Sequence, residues 1–325
     1  MDSALLREIV KDFDFGNGSL FEKYKSEQEV QRLFADFSIV RPFNKYSTNT
    51  LREILKRAVY IQLENRCKVE CKFCGFDFNP KQVKYEQFEV ETLRELKRRK
   101  IRRLEGLYVQ AEPFNFKGPI YKGSNECYSY LDIHRMIPSE SLVFTTVPKG
   151  SEELVLEAIK RGIVSRVSLS DINRKRLENN GFLEKARAIN PDVIQEVDIR
   201  TIGRAFKMGL GKKTLLGLCG LEKAGVFIAP YGIFNMVPGY VNSENPDGVD
   251  IIEIPDEFNE EFHDEIPLAE ISRYGLFEID SSMGYSVGIF NPRIHETQWY
   301  KYDFQEKRFH TPHDPFKYKC KLLIN

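Results

Sequence analysis

No stretch of the 325 residues approaches the roughly 18 consecutive apolar residues of a membrane-spanning helix. The amino terminus, MDSALLREIVKDFDF, has acids where a secretory signal needs a basic region and an unbroken apolar run. Both absences point to a soluble, cytoplasmic chain without membrane contact, where disulfides are not expected. Excess charge is missing too: 48 basic residues balance 48 acidic ones, which disfavours nucleic acid as a general partner. Lysine and arginine vanish altogether from Ala224 to Ser272, a span with eleven carboxylates between Glu244 and Glu270, so the remainder of the chain is net +11. Cysteine is sparse, and no second C-x2-C follows the first.

Half of the six cysteines nevertheless fall within eight positions, in NRCKVECKFCGFD at residues 65–77. Cys67, Cys71 and Cys74 form a C-x3-C-x2-C array. Thiolates gathered so closely on one loop repel each other and oxidise easily, so a bound metal is the natural reason for them. Structural zinc wants four closed ligands, usually as two short pairs. Iron–sulfur clusters are held by thiolates, and three thiolates on a four-iron cluster leave one iron open. A zinc knuckle completed by Cys127 or by a histidine (His134, His263, His295, His310 or His313) is the competing reading, with none of these at a zinc-ribbon spacing.

Around the array the sequence alternates. Residues 1–57 read as helical, because LLREIV, EVQRLFADF and TLREILKRA repeat apolar residues at three- and four-residue steps. Thr48 or Asn49 is placed to cap the last of these. Residues 58–64 (AVYIQLE) read as a strand running into the cysteine loop, and residues 86–100 as a helix with Leu93 and Leu96 inward. The KRRK run at its end complements the helix dipole. Strands follow at 106–111, ending in Glu112-Pro113, and at 142–147, 163–170 and 193–200. Helices intervene at 130–137, at 152–160 and from Asp171, a good N-cap. Such alternation implies βαβ units, a parallel sheet and right-handed crossovers that curl it toward a barrel. Chemistry then belongs at the carboxyl ends of strands, where the cysteine loop, Glu112, Ser170 and Arg200 fall. GRAFKMGLGKKT, residues 203–214, is no Walker loop, since Phe206 and Lys213 stand where Gly and Ser/Thr are needed. Residues 226–236 read as two strands about a Pro-Tyr-Gly turn, and 241–325 as a cap or edge layer.

The cysteine spacing, Phe73 before the last cysteine and Gly75 after it resemble the radical S-adenosylmethionine (radical SAM) superfamily. The resemblance is strong over the cysteine loop, weaker to about residue 200, and implies a partial (β/α)6 barrel of the TIM type. It divides the chain into an N-terminal helical segment (1–57), the barrel (58–240) and a small C-terminal α+β cap (241–325). It further implies a [4Fe–4S] cluster on Cys67, Cys71 and Cys74, whose open iron chelates S-adenosyl-L-methionine. Reductive cleavage then gives a 5′-deoxyadenosyl radical that abstracts hydrogen from substrate, with an electron donor such as a flavodoxin or ferredoxin.

Carried over by position, Phe73 would lie beside the adenine. Glu112 would receive the methionyl ammonium, although only Glu-Pro survives of the family's Gly-Gly-Glu-Pro, with Gln110 and Ala111 in front. Ser168 and Ser170 share one strand face and would meet the ribose or carboxylate, or are ordinary strand hydroxyls. Arg200 would bind the methionyl carboxylate, or is a surface arginine. Cys127, Cys219 and Cys320 are too scattered for a second cluster. A single cluster suits epimerisation, cyclisation, elimination or rearrangement of a small molecule or peptide. The acidic segment would suit a cationic substrate, and is more simply a solvated loop. Two alternatives remain: a relative acting on tRNA, through the basic run at 97–103, and a zinc-stabilised α/β binding protein without activity.

Overall fold

A computed structural model of the protein describes residues 42–65, 67, 69, 71, 74, 85–98, 104–108, 111–121, 124–140, 142–170, 173–196, 202–210, 224–239, 241–243, 245–279, 286–303 and 306–311. The expected helices LLREIV and EVQRLFADF, and the site candidates Phe73 and Arg200, lie outside the described residues.

The third expected helix is α1, Thr48–Arg57. Its cap is Ser47, one residue before the expected pair, whose hydroxyl accepts from Thr50 N at 3.1 Å. Lys56 and Arg57 close its last turn and both donate to Glu53, and Arg57 stacks 3.5 Å from the Phe290 ring centroid. The chain passes directly into β1, Ala58–Ile61, every residue of which is buried.

β1 lies at the centre of a parallel run. On one side it pairs with β7, Gly225–Ala229. On the other, Tyr60 bridges Gly106 and Leu104 bridges Ser139, both in parallel, with Ile61 N donating to Gly106 O and Glu140 N to Leu104 O. β2, Lys117–Pro119, and β3, Cys127–Ser129, form a short antiparallel pair. The Ser139 stretch leads to β4, Val143–Thr145, which pairs with β5, Val164–Leu169, and that with β6, Ile194–Glu196. The spatial order is therefore β7, β1, 104–108, β4, β5, β6, as successive crossovers require. Among the described residues the ladders trace separate sheets joined by single bridges, not a closed ring.

The crossovers carry α2, Val90–Arg98, α3, Tyr130–Met136, α4, Glu152–Lys160, α5, Arg174–Asn179, and α6, Phe182–Ile189. The first starts later than its periodicity predicts, because the backbone of Glu86 and Phe88 is hydrogen-bonded to Asn65 and Leu63. Leu93 and Leu96 do point into the core. One face of β4 and β5 (Val143, Thr145, Val167, Leu169) is buried with Val155 and Ala158 of α4 and Phe182 and Ala186 of α6. The alternate face is uneven: Val164 and Ser168 are buried, whereas Phe144 is 59% exposed, with the Arg166 guanidinium 4.2 Å from its ring centroid.

After the Pro230-Tyr231 turn, β8, Gly232–Pro238, folds back on β7, and β9, Val249–Glu253, follows antiparallel. The last described elements form an antiparallel sheet of β10, Glu265–Pro267, β11, Leu276–Ile279, β12, Ser286–Asn291, β13, Glu296–Asp303, and β14, Arg308–His310. Its order is β10-β14-β13-β12-β11. Aromatic packing holds it, Tyr302 stacking on Phe309 at 4.6 Å between centroids. Fully buried Asn235 joins it to β8, donating to Gly275 O at 2.8 Å and accepting from Phe277 N at 2.9 Å.

Candidate metal and cofactor site

The chain leaves β1, forms the cysteine loop, and returns to the strand it left. Asn65 N donates to Glu86 O at 3.0 Å, and Phe88 N to Leu63 O at 2.9 Å. Glu86 N donates to the Asn65 side chain at 2.8 Å, and Glu64 bridges Gln87 in antiparallel fashion. These bonds satisfy backbone groups that a loop of this size would otherwise leave to water, and they fix both ends at the carboxyl end of β1.

Cys67, Cys71 and Cys74 are half-buried and carry no disulfide. A turn joins the last two, Cys74 N donating to Cys71 O at 3.3 Å. Arg204 holds that turn from outside. It sits in α7, Gly203–Lys207, within the segment whose phosphate-loop likeness fails. Its backbone N–H donates to Cys74 O at 3.1 Å and its guanidinium to Cys71 O at 3.1 Å. Gly203 N in turn donates to Pro246 O at 2.7 Å, so the β8–β9 connection supports α7.

The Cys71 thiol is pushed up to about 12, first by burial and then by Cys67, Cys74 and Glu112, with Arg204 opposing. The expected strand 106–111 is reduced among the described residues to single bridges at Leu104 and Gly106, and Glu112 beyond them is within electrostatic reach of Cys71, as are the other two thiols. They are neighbours rather than a closed shell: among the described residues no group of three or more His, Cys, Asp or Glu is arranged to hold a metal ion. The donor chemistry fits an iron–sulfur centre, and loading would have to draw the sulfurs together.

Glu112 caps a single turn of 3-10 helix, Pro113–Asn115, with Pro113 at its first position. The carboxylate is only 6% exposed. Thr145 Oγ1 donates to it at 2.6 Å, Thr146 N and Oγ1 each at 2.8 Å, and Phe114 N at 3.4 Å. Burial raises its proton affinity, and these hydrogen bonds oppose the rise without cancelling it. Thr145 and Thr146 belong to the carboxyl end of β4, so Glu112 ties its own turn to that strand.

Ser168 and Ser170 share the β5 face with Arg166, away from the helices. The Ser170 hydroxyl donates to Asn173 Oδ1 at 3.4 Å. Asn173 also accepts from Ser170 N at 2.9 Å and donates to Thr146 O at 2.7 Å and Ser168 O at 2.9 Å. It thereby links the ends of β4 and β5. The helix cap falls on Asn173 rather than Asp171, which lies outside the described residues.

The sequence reading missed Arg204, Asn173 and the Thr145–Thr146 pair, as well as Glu64 and Tyr108. Buried Glu64 accepts from Tyr108 OH at 2.7 Å and Tyr85 OH at 2.8 Å. Only Glu64 had an available signal, a carboxylate closing a mostly apolar stretch. No protein-family model, curated protein or solved structure matches the chain.

Proposed function

We propose that this chain is a radical S-adenosylmethionine enzyme built on a partial (β/α)6 barrel, with the C-terminal sheet as its cap. The observation that carries the proposal is the neighbourhood of Cys71: two further thiols on the same loop and Glu112 at the next strand end. Cys67, Cys71 and Cys74 would hold a [4Fe–4S] cluster, which when bound supplies the electron that cleaves the S-adenosylmethionine sulfonium to a carbon radical.

The chain's own residues bind and orient. Glu112, kept in place by Thr145 and Thr146, offers a buried carboxylate to the methionyl ammonium; an ammonium partner would favour its ionised form over the neutral one that burial favours. Arg204 holds the loop carbonyls of Cys71 and Cys74. Ser168, buried, and the half-buried Ser170 and Arg166 lie on one β5 face and would meet the ribose or carboxylate of the cofactor. Phe73 and Arg200 keep their proposed adenine and carboxylate contacts.

The substrate is a small molecule or peptide, and the electron donor a flavodoxin or ferredoxin. Ion pairs of Lys45 with Glu253, Lys307 with Asp250, Arg293 with Glu260 and Arg308 with Glu265 absorb part of the acidic segment. That favours a solvated loop over a cation-binding surface. Among the described residues no helix is long and apolar enough to cross a membrane, and a reducing cytoplasm suits the thiolates.

The test is anaerobic reconstitution with iron and sulfide, followed by reductant and S-adenosylmethionine. Expected are equal iron and sulfide, a brown chromophore and 5′-deoxyadenosine, all lost when the three cysteines are replaced by alanine. Zinc without iron or sulfide would overturn the proposal and leave the scaffold reading.

A further inference from the structure

We infer that Tyr108, Glu64 and Tyr85 form a relay that carries an oxidising equivalent from the cysteine loop to the protein surface. This rests on the radical-enzyme reading for its purpose, though not for its geometry.

The Glu64 carboxylate, 1% exposed, has a phenol on each oxygen: Tyr108 on Oε1 at 2.7 Å and Tyr85 on Oε2 at 2.8 Å. Tyr85 also contacts Gln87, and its ring is 41% exposed. Tyr108 stands on the strand segment beside β1, with its ring edge-on to Phe116 and Tyr130. It feels the charge of Cys67 as well as of Glu64 and Tyr85. One carboxylate thus joins a tyrosine within electrostatic reach of Cys67 to a tyrosine at the surface.

A phenol loses an electron readily only when its proton has somewhere to go, and hydrogen bonding to a carboxylate provides that. Two phenols on opposite oxygens of one carboxylate let the proton follow the electron. The relay's oxidant is a carbon-centred radical, R•, formed at the cysteine loop. Hydrogen-atom transfer gives R–H and the Tyr108 phenoxyl. An electron then passes from Tyr85 to Tyr108, while the Tyr85 proton moves to Glu64 and from it to the Tyr108 oxygen. Tyr85 is left as the phenoxyl, with Tyr108 and Glu64 restored. A thiol reductant in solution returns a hydrogen atom to Tyr85 and becomes a thiyl radical. A radical that misses its substrate is discharged without consuming the loop cysteines.

The experiment needs no iron. A full-length variant retaining Cys67 as its only cysteine is labelled there with a ruthenium polypyridine photo-oxidant. It is flashed with a sacrificial acceptor and frozen for electron paramagnetic resonance, with ring-deuterated tyrosine to identify phenoxyl. Ruthenium(III) takes the electron from Tyr108 and Glu64 takes the proton. The expected signal is a phenoxyl on Tyr85. In Tyr85→Phe, an exposed substitution that leaves the ring in place, the signal shows the different methylene splitting of Tyr108. In Glu64→Gln and Tyr108→Phe the yield falls several-fold. An unchanged line shape in Tyr85→Phe, or an undiminished yield in correctly folded Glu64→Gln, overturns the relay. Failure to make 5′-deoxyadenosine in the separate reconstitution assay would instead remove the enzyme reading and leave a positive flash result standing.

Discussion

Replacing Glu112 with alanine removes the acceptor of four hydrogen bonds, and the cost can be apportioned. The Thr146 and Phe114 N–H groups are backbone donors that cannot turn to new partners, and Thr145 is buried. A stranded buried donor costs about 1–3 kcal/mol, and removing a desolvated carboxylate returns part of that. A net loss of about 3 kcal/mol is expected, read as a fall in the urea midpoint at constant slope. The sharper test is a cycle with Thr145→Val. That substitution alone also strands Val147 N, which donates to Thr145 Oγ1 at 2.9 Å. Because the Val147 loss occurs on both backgrounds, it cancels, and the coupling reports the Glu112–Thr145 bond alone. At a pH well above the raised Glu112 value, where the carboxylate is ionised, the bond predicts coupling of about 1.5–3 kcal/mol. Additivity within about 0.5 kcal/mol would refute the geometry. The pH dependence has a definite sign. Burial raises Glu112 above its ordinary value of 4.5 in the folded protein, so the linked stability is complete below that value and is lost as pH rises through the raised one. Glu112→Gln should flatten this decline.

Arg204→Ala removes a charge that opposes the rise at Cys71, so the metal-free thiol should alkylate more slowly at a given pH. A pH–rate profile followed by peptide mass spectrometry measures this, and an unchanged profile would separate Arg204 from the loop. Asn235→Leu strands Phe277 N and loses the bonds to Gly275 O and Ser272 Oγ; about 3 kcal/mol should disappear from the urea-derived stability. Gly275→Ala would set a methyl 2.2 Å from Phe290 O, a backbone atom, whereas at Gly118 the nearest atom is the end of the Phe116 ring at 2.5 Å. The first should lower the melting temperature clearly more than the second.

The elements legible in the sequence were those with enough residues to show a period. α1, α4 and β1 appear where apolar spacing places them, and the 226–236 hairpin turns at its Pro-Tyr-Gly. β4 and β6 are three residues each, too short for alternation to mark their ends, and the C-terminal sheet also packs Phe277 against Phe309, a pair far apart in sequence. The cysteine array was legible because its members are adjacent in sequence. Arg204 reaches Cys71 across 133 positions, and Asn173 reaches Thr146 across 27. Neither residue type is unusual where it stands, so only the fold reveals its role.

The paired bonds between Asn65 and Glu86 make the sulfur-bearing loop a cassette. Because its two ends are fastened to each other, the strands on either side are closed independently of the length between them, and Arg204 holds the loop to the remainder of the fold. Lengthening the interval twofold should add only about 0.6 kcal/mol of closure entropy. Donors could then be exchanged, respaced or deleted by selection without unfolding the scaffold, and a chain that lost all three cysteines would survive as a stable protein.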